Sequence, residues 1–194
     1  MKAFTKEEKR VVGLILFAIL SITLVNFRSS FVRSRDAQRK SDLNSIASSL
    51  EKYNEDFGFF PPEVDGKITA CKKDDQQEKI LGKVDLKDYF APCRWGEDSL
   101  RDLSDPEFPP YIVKLHADPQ TDMGVSYLYK SDTKHFQLYA HLEGASDVEI
   151  RPEIVSLGLM CGKAVCNYGK TQGGTPLDMS LDEYNAQLEK EFAK

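Results

Sequence analysis

The chain has 194 residues, 29% of them charged and 41% hydrophobic, with a formal net charge of −5. This composition excludes a disordered chain and leaves enough length for one domain with a real core. Residues 1–40 hold nine Lys/Arg against three Asp/Glu, whereas residues 41–194 hold seventeen against twenty-eight. The membrane-facing end is therefore basic, and the acidic remainder argues against nucleic acid as a partner.

Residues 1–10, MKAFTKEEKR, are short and charged. Residues 11–27, VVGLILFAILSITLVNF, carry no charge over seventeen positions. At the helical rise they cover roughly 25 Å, at the short end of what crosses the hydrocarbon core of a bilayer. The run is fenced by Lys6, Glu7, Glu8, Lys9 and Arg10 on one side and by Arg28, Arg33, Arg35, Arg39 and Lys40 on the other. No small-x-small cleavage site follows it, so a retained anchor in membrane lipid is expected rather than a secretory signal. Basic residues flank both ends in similar number, and the positive-inside count leaves the orientation open.

The helix is expected to continue past the anchor, for a total of about 45–50 residues. Leu43, Ile46, Ala47, Leu50, Tyr53 and Phe57 repeat at helical spacing as one stripe to be buried, and Gly58 with Pro61-Pro62 ends it. Residues 63–110 are rich in charge and Pro. They read as loops, with short helical turns around 97–103 and Trp95 packed against a neighbouring disulfide. VSYLYK at 125–130 and HFQLYAHL at 135–142 alternate as an antiparallel hairpin, with Phe136, Leu138, Ala140 and Leu142 on the face that covers the stripe. Residues 148–155 read as a third strand or a loop, and 156–174 as a Gly-rich loop. Ser180-x-x-Glu183 is a capping box that opens a short terminal helix.

Four cysteines, Cys71, Cys93, Cys161 and Cys166, all lie beyond the anchor. An even number in a tethered ectodomain fits two disulfides in an oxidising exterior. Three pairings are open, of which Cys71–Cys93 with Cys161–Cys166 is the most economical. Four buried reduced thiols and a metal site are the alternatives, although the spacings are looser than a zinc knuckle.

No catalytic motif is visible, and an enzyme is not expected. His135 and His141 fall six apart on one strand, as half a metal site or as surface histidines. The paired acids Asp74/Asp75 and Asp102/Asp105 sit in loops without a nucleophile or base nearby in sequence.

RSRDAQRKSDLNSIASSLEKYNEDFGFFP at 33–61, LVNF at 24–27, YIVKLHADP at 111–119 and the Gly124-Val-Ser-Tyr127-Leu-Tyr129 strand come in the order of parts of one family. Together they resemble the type IV pilin superfamily, most closely the major pseudopilin of type II secretion. The resemblance covers residues 1–62 and 111–142. It implies an α+β, pilin-like fold in which a long N-terminal membrane-anchored helix packs on a small antiparallel sheet. The implied organisation is a cytoplasmic N-terminus at 1–10, a transmembrane segment at 11–27, the soluble half of the helix at 28–60 and a globular extracytoplasmic domain at 61–194. It implies a single-pass protein of the cell membrane or a surface filament, with copies of itself or other pilin-like subunits as partners. A prepilin peptidase would cut between Ala3 and Phe4 and methylate the new amine, an assembly platform would receive the product, and Glu8 would neutralise a neighbour's N-terminus. Ala3 stands where the family has Gly, and Lys6, Glu7, Lys9 and Arg10 stand at apolar positions. Major pseudopilins bind calcium in a loop after the hairpin; here that segment contains Glu143, Asp147 and Glu149, hard oxygen ligands in a sparser pattern.

Overall fold

The computed structural model describes residues 5–72, 90–105, 107–144 and 148–193. A single helix, α1, runs from Lys6 to Phe57, 52 residues without a break. Thr5 caps its start: the Thr5 hydroxyl accepts from the Glu8 N–H, and the Glu8 carboxylate accepts from the Thr5 N–H at 2.7 Å. This Thr-x-x-Glu capping box sets the first turn before the apolar run begins. At the other end Gly58 takes φ 75°, a left-handed conformation that costs a residue without Cβ little, and its N–H closes on the Asn54 carbonyl.

The two halves of α1 differ in what surrounds them. The large apolar side chains from Val11 to Leu24, and Phe27, are exposed, with Leu14 70% and Phe17 69% open. Among the described residues α1 is the one helix long and apolar enough to cross a membrane. From Leu43 onward the expected stripe is buried: Leu43, Ile46 and Leu50 are fully enclosed, with Ala47 and Tyr53 beside them.

Two three-stranded antiparallel sheets and a small hairpin make up the rest of the framework. The first contains β1 (Glu63–Val64), β2 (Lys67–Lys72) and β3 (Phe90–Pro92), in that spatial order. Asp65 and Gly66, both at positive φ, turn β1 into β2, as an Asp-Gly pair does in a tight hairpin. The second contains β4 (Leu128–Ser131) and β5 (Phe136–Ala140), followed by α2 (Pro152–Ser156), the hairpin β6 (Met160–Cys161) and β7 (Ala164–Val165), and then β8 (Tyr168–Thr171). β5 lies between β4 and β8, with Tyr129 opposite Leu138 and Leu138 opposite Lys170. The chain ends in α3 (Leu181–Phe192), opened by the expected Ser180–Glu183 capping box.

The hairpin and its apolar face are as read from the alternation. Phe136, Leu138, Ala140 and Leu142 join the stripe of α1 in one core with Phe60, Ile68, Leu100, Leu115, Tyr127 and Tyr129. β5 is buried on both faces, however. Tyr139 belongs to a second cluster with Ile154, Cys161, Cys166 and Leu177, and Gln137 donates to the carbonyls of Pro176 and Met179. Residues 148–155 do not form a third strand. Pro152 starts the short helix α2, for which its fixed φ suits the first position, and the third strand comes from Tyr168–Thr171, in the Gly-rich stretch read as loop. Residues 97–103 are not helical either: Leu100 makes an isolated bridge to Ile112. Trp95 packs edge-on against Tyr127, with ring centroids 6.0 Å apart.

Both disulfides are local, Cys71–Cys93 and Cys161–Cys166, and no described cysteine is free. The first joins β2 to the segment after β3 inside the main core; the second closes the β6–β7 hairpin in the smaller cluster. Gly162 in that hairpin sits at φ 69°, where a Cβ would collide with the Gly124 carbonyl oxygen.

Candidate functional site

The apolar stripe of α1 does not start at Leu43. Stepping back at the same spacing reaches Arg39 and Asp36, and both are buried, Arg39 with 0% exposure. A guanidinium withdrawn from water needs all five of its N–H donors satisfied, and here all five are. Nε and Nη2 form a fork on Asp118, at 2.8 and 3.0 Å. Nη1 reaches Asp36 at 2.8 Å and Glu143 at 2.6 Å, and Nη2 also reaches the Gln120 side-chain carbonyl at 2.9 Å. Arg35, half-buried one turn closer to the apolar run, makes a second fork on Glu143, with its Nε at 2.7 Å.

The carboxylates are held in turn by backbone. Asp36 accepts the N–H groups of Glu143 and Gly144, each at 2.9 Å, and Asp118 accepts the Gln120 N–H at 2.8 Å. The network therefore ties the loop before Thr121 and the end of the second sheet to one point on α1. Burial pulls the Arg39 guanidinium down, but its bonds to Asp118 and Glu143 outweigh that and raise it. The fork from Arg35, against the opposing effect of burial and with help from Arg39, holds the Glu143 carboxyl down to about 2.

One turn further along, Asp42 is buried and accepts the Tyr127 hydroxyl at 2.7 Å, with His116 Nδ1 at 3.6 Å from its other oxygen. Burial pushes the Asp42 carboxyl up, while the Tyr127 bond and the His116 charge oppose the shift. Burial and the Asp42 carboxylate together raise the Tyr127 phenol.

No family model, curated protein or solved structure matches this chain.

The positions singled out in the sequence fare differently. Ala3 and Phe4 lie outside the described residues, as do Asp74, Asp75 and Asp147. Glu8 is exposed and serves the first turn of α1 through Thr5. Glu143, expected as an oxygen ligand, is committed to two arginines, and Glu149 pairs with Lys40 at 2.6 Å. In the described part of that segment the charge on the acids is thus already balanced by side-chain cations. His135 and His141 do not converge: His135 Nδ1 lies 3.2 Å from Asp132, and His141 Nδ1 lies 2.8 Å from the Val165 carbonyl. Among the described residues no three His, Cys, Asp or Glu come together as a metal-ligand group.

The Arg39 network is hidden in the sequence because Arg35 and Arg39 read as part of the basic fence that follows the apolar run. The signal was nevertheless present, since positions 36, 39, 43, 46 and 50 form one register. Asn167, whose side chain bonds both the N–H and the carbonyl of Leu142, had no sequence signal.

Proposed function

We propose that the chain is a pilin-like or pseudopilin-like structural subunit, assembling through its N-terminal helix into a type IV pilus or type II secretion-type filament. One observation carries this reading. A single 52-residue helix is apolar and open to its surroundings over its first half and is the buried spine of an α+β domain over its second. A helix of that length exceeds what a bilayer crossing needs, and its outer half fixes the head rigidly to the anchor. The Arg39 network supports the same reading, because it braces the head against the helix where the two first meet.

In this reading the protein is not an enzyme. Its domain is extracytoplasmic, in keeping with two disulfides. Its partners are lipid and pilin-like subunits, its own copies among them, together with a prepilin peptidase and an assembly platform. The test is the intact mass and N-terminal sequence of protein extracted from native membranes. A chain starting at methylated Phe4 is expected; a chain starting at Met1 overturns processing.

The arrangement of the first turn favours a second reading. Glu8 is engaged by its own helix cap, and Lys6, Glu7 and Arg10 are exposed charges around it. The four charged residues at the family's apolar positions, Lys6, Glu7, Lys9 and Arg10, oppose burial in a lipid-like filament core by about 2.5–3.5 kcal/mol each at the centre of the hydrocarbon. An unprocessed single-pass protein whose ectodomain binds a surface ligand or partner accommodates those charges in the interface. Glu8→Ala separates the two readings. It abolishes assembly under the first and leaves the protein's behaviour essentially unchanged under the second.

A further inference from the structure

At the far end of α1 the buried stripe runs into a group of aromatic rings. Tyr53 packs on Phe57, Phe59 and Tyr111, with centroids 4.4, 5.9 and 5.6 Å away, and Phe108 packs on Tyr111 at 5.7 Å. Tyr53 is buried, but Phe59 and Phe108 are 41% and 40% exposed, so the cluster opens at the tip of the molecule. Its edge is acidic. Asp56 accepts the Tyr111 hydroxyl at 2.7 Å, and the negative charge of Asp102 acts on both tyrosines.

Midway along the same helix lies a surface of opposite character. Just past the apolar run, Phe27 and Phe31 meet edge to face at 4.8 Å, and both are more than half exposed. Arg28 and Arg33 beside them are exposed and make no ion pair among the described residues.

We infer that the acidic aromatic tip is a docking surface for the basic aromatic collar, residues 27–33, of a second copy of this chain. The inference rests on the assembly reading and adds a specific contact to it. Charge complementarity argues for a second copy: Arg28 and Arg33 on the collar are exposed cations, and Asp56 and Asp102 put negative charge at the edge of the tip. Guanidinium groups also stack favourably on aromatic faces, which the tip offers beside its carboxylates. Within one chain the two surfaces cannot meet, because α1 rises about 39 Å from Phe31 to Phe57. Between copies, a tip-to-collar contact displaces each copy along the helix axis by about that distance. Such a heterologous contact does not close on itself and therefore propagates as a filament.

The test places a photo-reactive phenylalanine analogue at position 59 of the full chain, irradiates whole cells so that assembled filaments are sampled together with the membrane pool, and maps the cross-linked peptides by mass spectrometry. The expected dominant product joins position 59 to residues 27–33 of another copy. Arg33→Glu should reduce that product at least about tenfold, and adding Glu107→Arg, at the exposed acid next to Phe108 on the tip, should restore much of it. Cross-links between copies at other segments overturn this contact but leave assembly standing. Products with lipid or unrelated protein alone also overturn it. If no copies cross-link and the chain starts at Met1, the contact and the filament reading fail together.

Discussion

The two halves of α1 share one backbone and opposite surroundings. From Val11 to Phe27 the helix has no polar face, and its described side chains are exposed; from Asp36 to Phe57 one stripe is enclosed and the other face meets solvent. The apolar half has the length and composition to cross a membrane, where a helix needs only apolar surface, with its backbone satisfied internally. The spine half needs a specific fit, and its burial extends into charged residues that are tolerated only because each is matched. Substitutions in the two halves should therefore differ sharply in their effect on the head.

The largest effect is expected at Arg39. Arg39→Ala leaves Asp36, Asp118 and Glu143 facing one another without their central cation, and removing one partner of a buried ion pair costs about 3–5 kcal/mol. Arg10→Ala, which removes an exposed i,i+3 pair with Glu7, should change stability by less than about 0.5 kcal/mol. Thermal unfolding of the full chain in detergent measures both. Comparable losses would mean that the network does not brace the head.

A matched pair of leucines sharpens the contrast. Leu50 is fully buried against the sheets, and Leu50→Ala should cost about 2–5 kcal/mol through lost contacts and a residual cavity. Leu16 is 60% exposed, and Leu16→Ala should leave unfolding of the head within about 0.5 kcal/mol of the parent. The same scan of full-length variants in detergent reads this difference.

The disulfides divide in a similar way between the core built on α1 and the satellite cluster. By loop-closure entropy the Cys71–Cys93 link, with a separation of 22, is worth about 3 kcal/mol, and Cys161–Cys166, with a separation of 5, about 2 kcal/mol. Cys71→Ser with Cys93→Ser should lower the denaturation midpoint of the whole head more than Cys161→Ser with Cys166→Ser does. The reverse order would mean that the satellite cluster, rather than the core on the helix, limits stability.

The parts of this architecture that were legible in the sequence are those that repeat or alternate. Leu43, Ile46, Leu50 and Tyr53 announce a helix face, Phe136, Leu138 and Ala140 a strand face, and Gly58 before two prolines a stop. What was not legible depends on partners far away in the chain. Arg39 reads as solvent-exposed until Asp118 and Glu143 are known to surround it. Tyr168–Thr171 reads as loop because a short Gly-containing strand takes its conformation from β5, not from propensity. The Thr5-x-x-Glu8 cap has the same form as Ser180-x-x-Glu183, but it is embedded in a run of charges that invites an electrostatic reading.

The smallest effect separates two glutamates by acidity. Both Glu143 and Glu8 sit below the usual carboxylate range, but for different reasons: Glu143 through ion pairs in the half-buried network, and Glu8 through its bonds to Thr5 at an exposed helix end. The Glu143 carboxyl falls from 4.5 to about 2 on folding. An acid depressed in the folded state contributes stability that is complete above its unfolded pKa and is lost as pH falls through the folded one. For Glu143 that window runs from 4.5 down to about 2, and the contribution is about 2 kcal/mol once solvent screening at partly exposed Arg35 is allowed for. Glu143→Gln should therefore destabilise the head near neutral pH, and the gap to the parent should narrow as pH falls through that window. Glu8→Gln should leave the unfolding curve of the head parallel to the parent's over the same range, because its cap lies about 40 Å along the helix from Asp36, far beyond a Debye length. Urea titrations at stepped pH on the full chain measure both slopes. A pH-dependent gap of equal size for Glu8→Gln would mean that the two halves of α1 are energetically coupled rather than merely continuous.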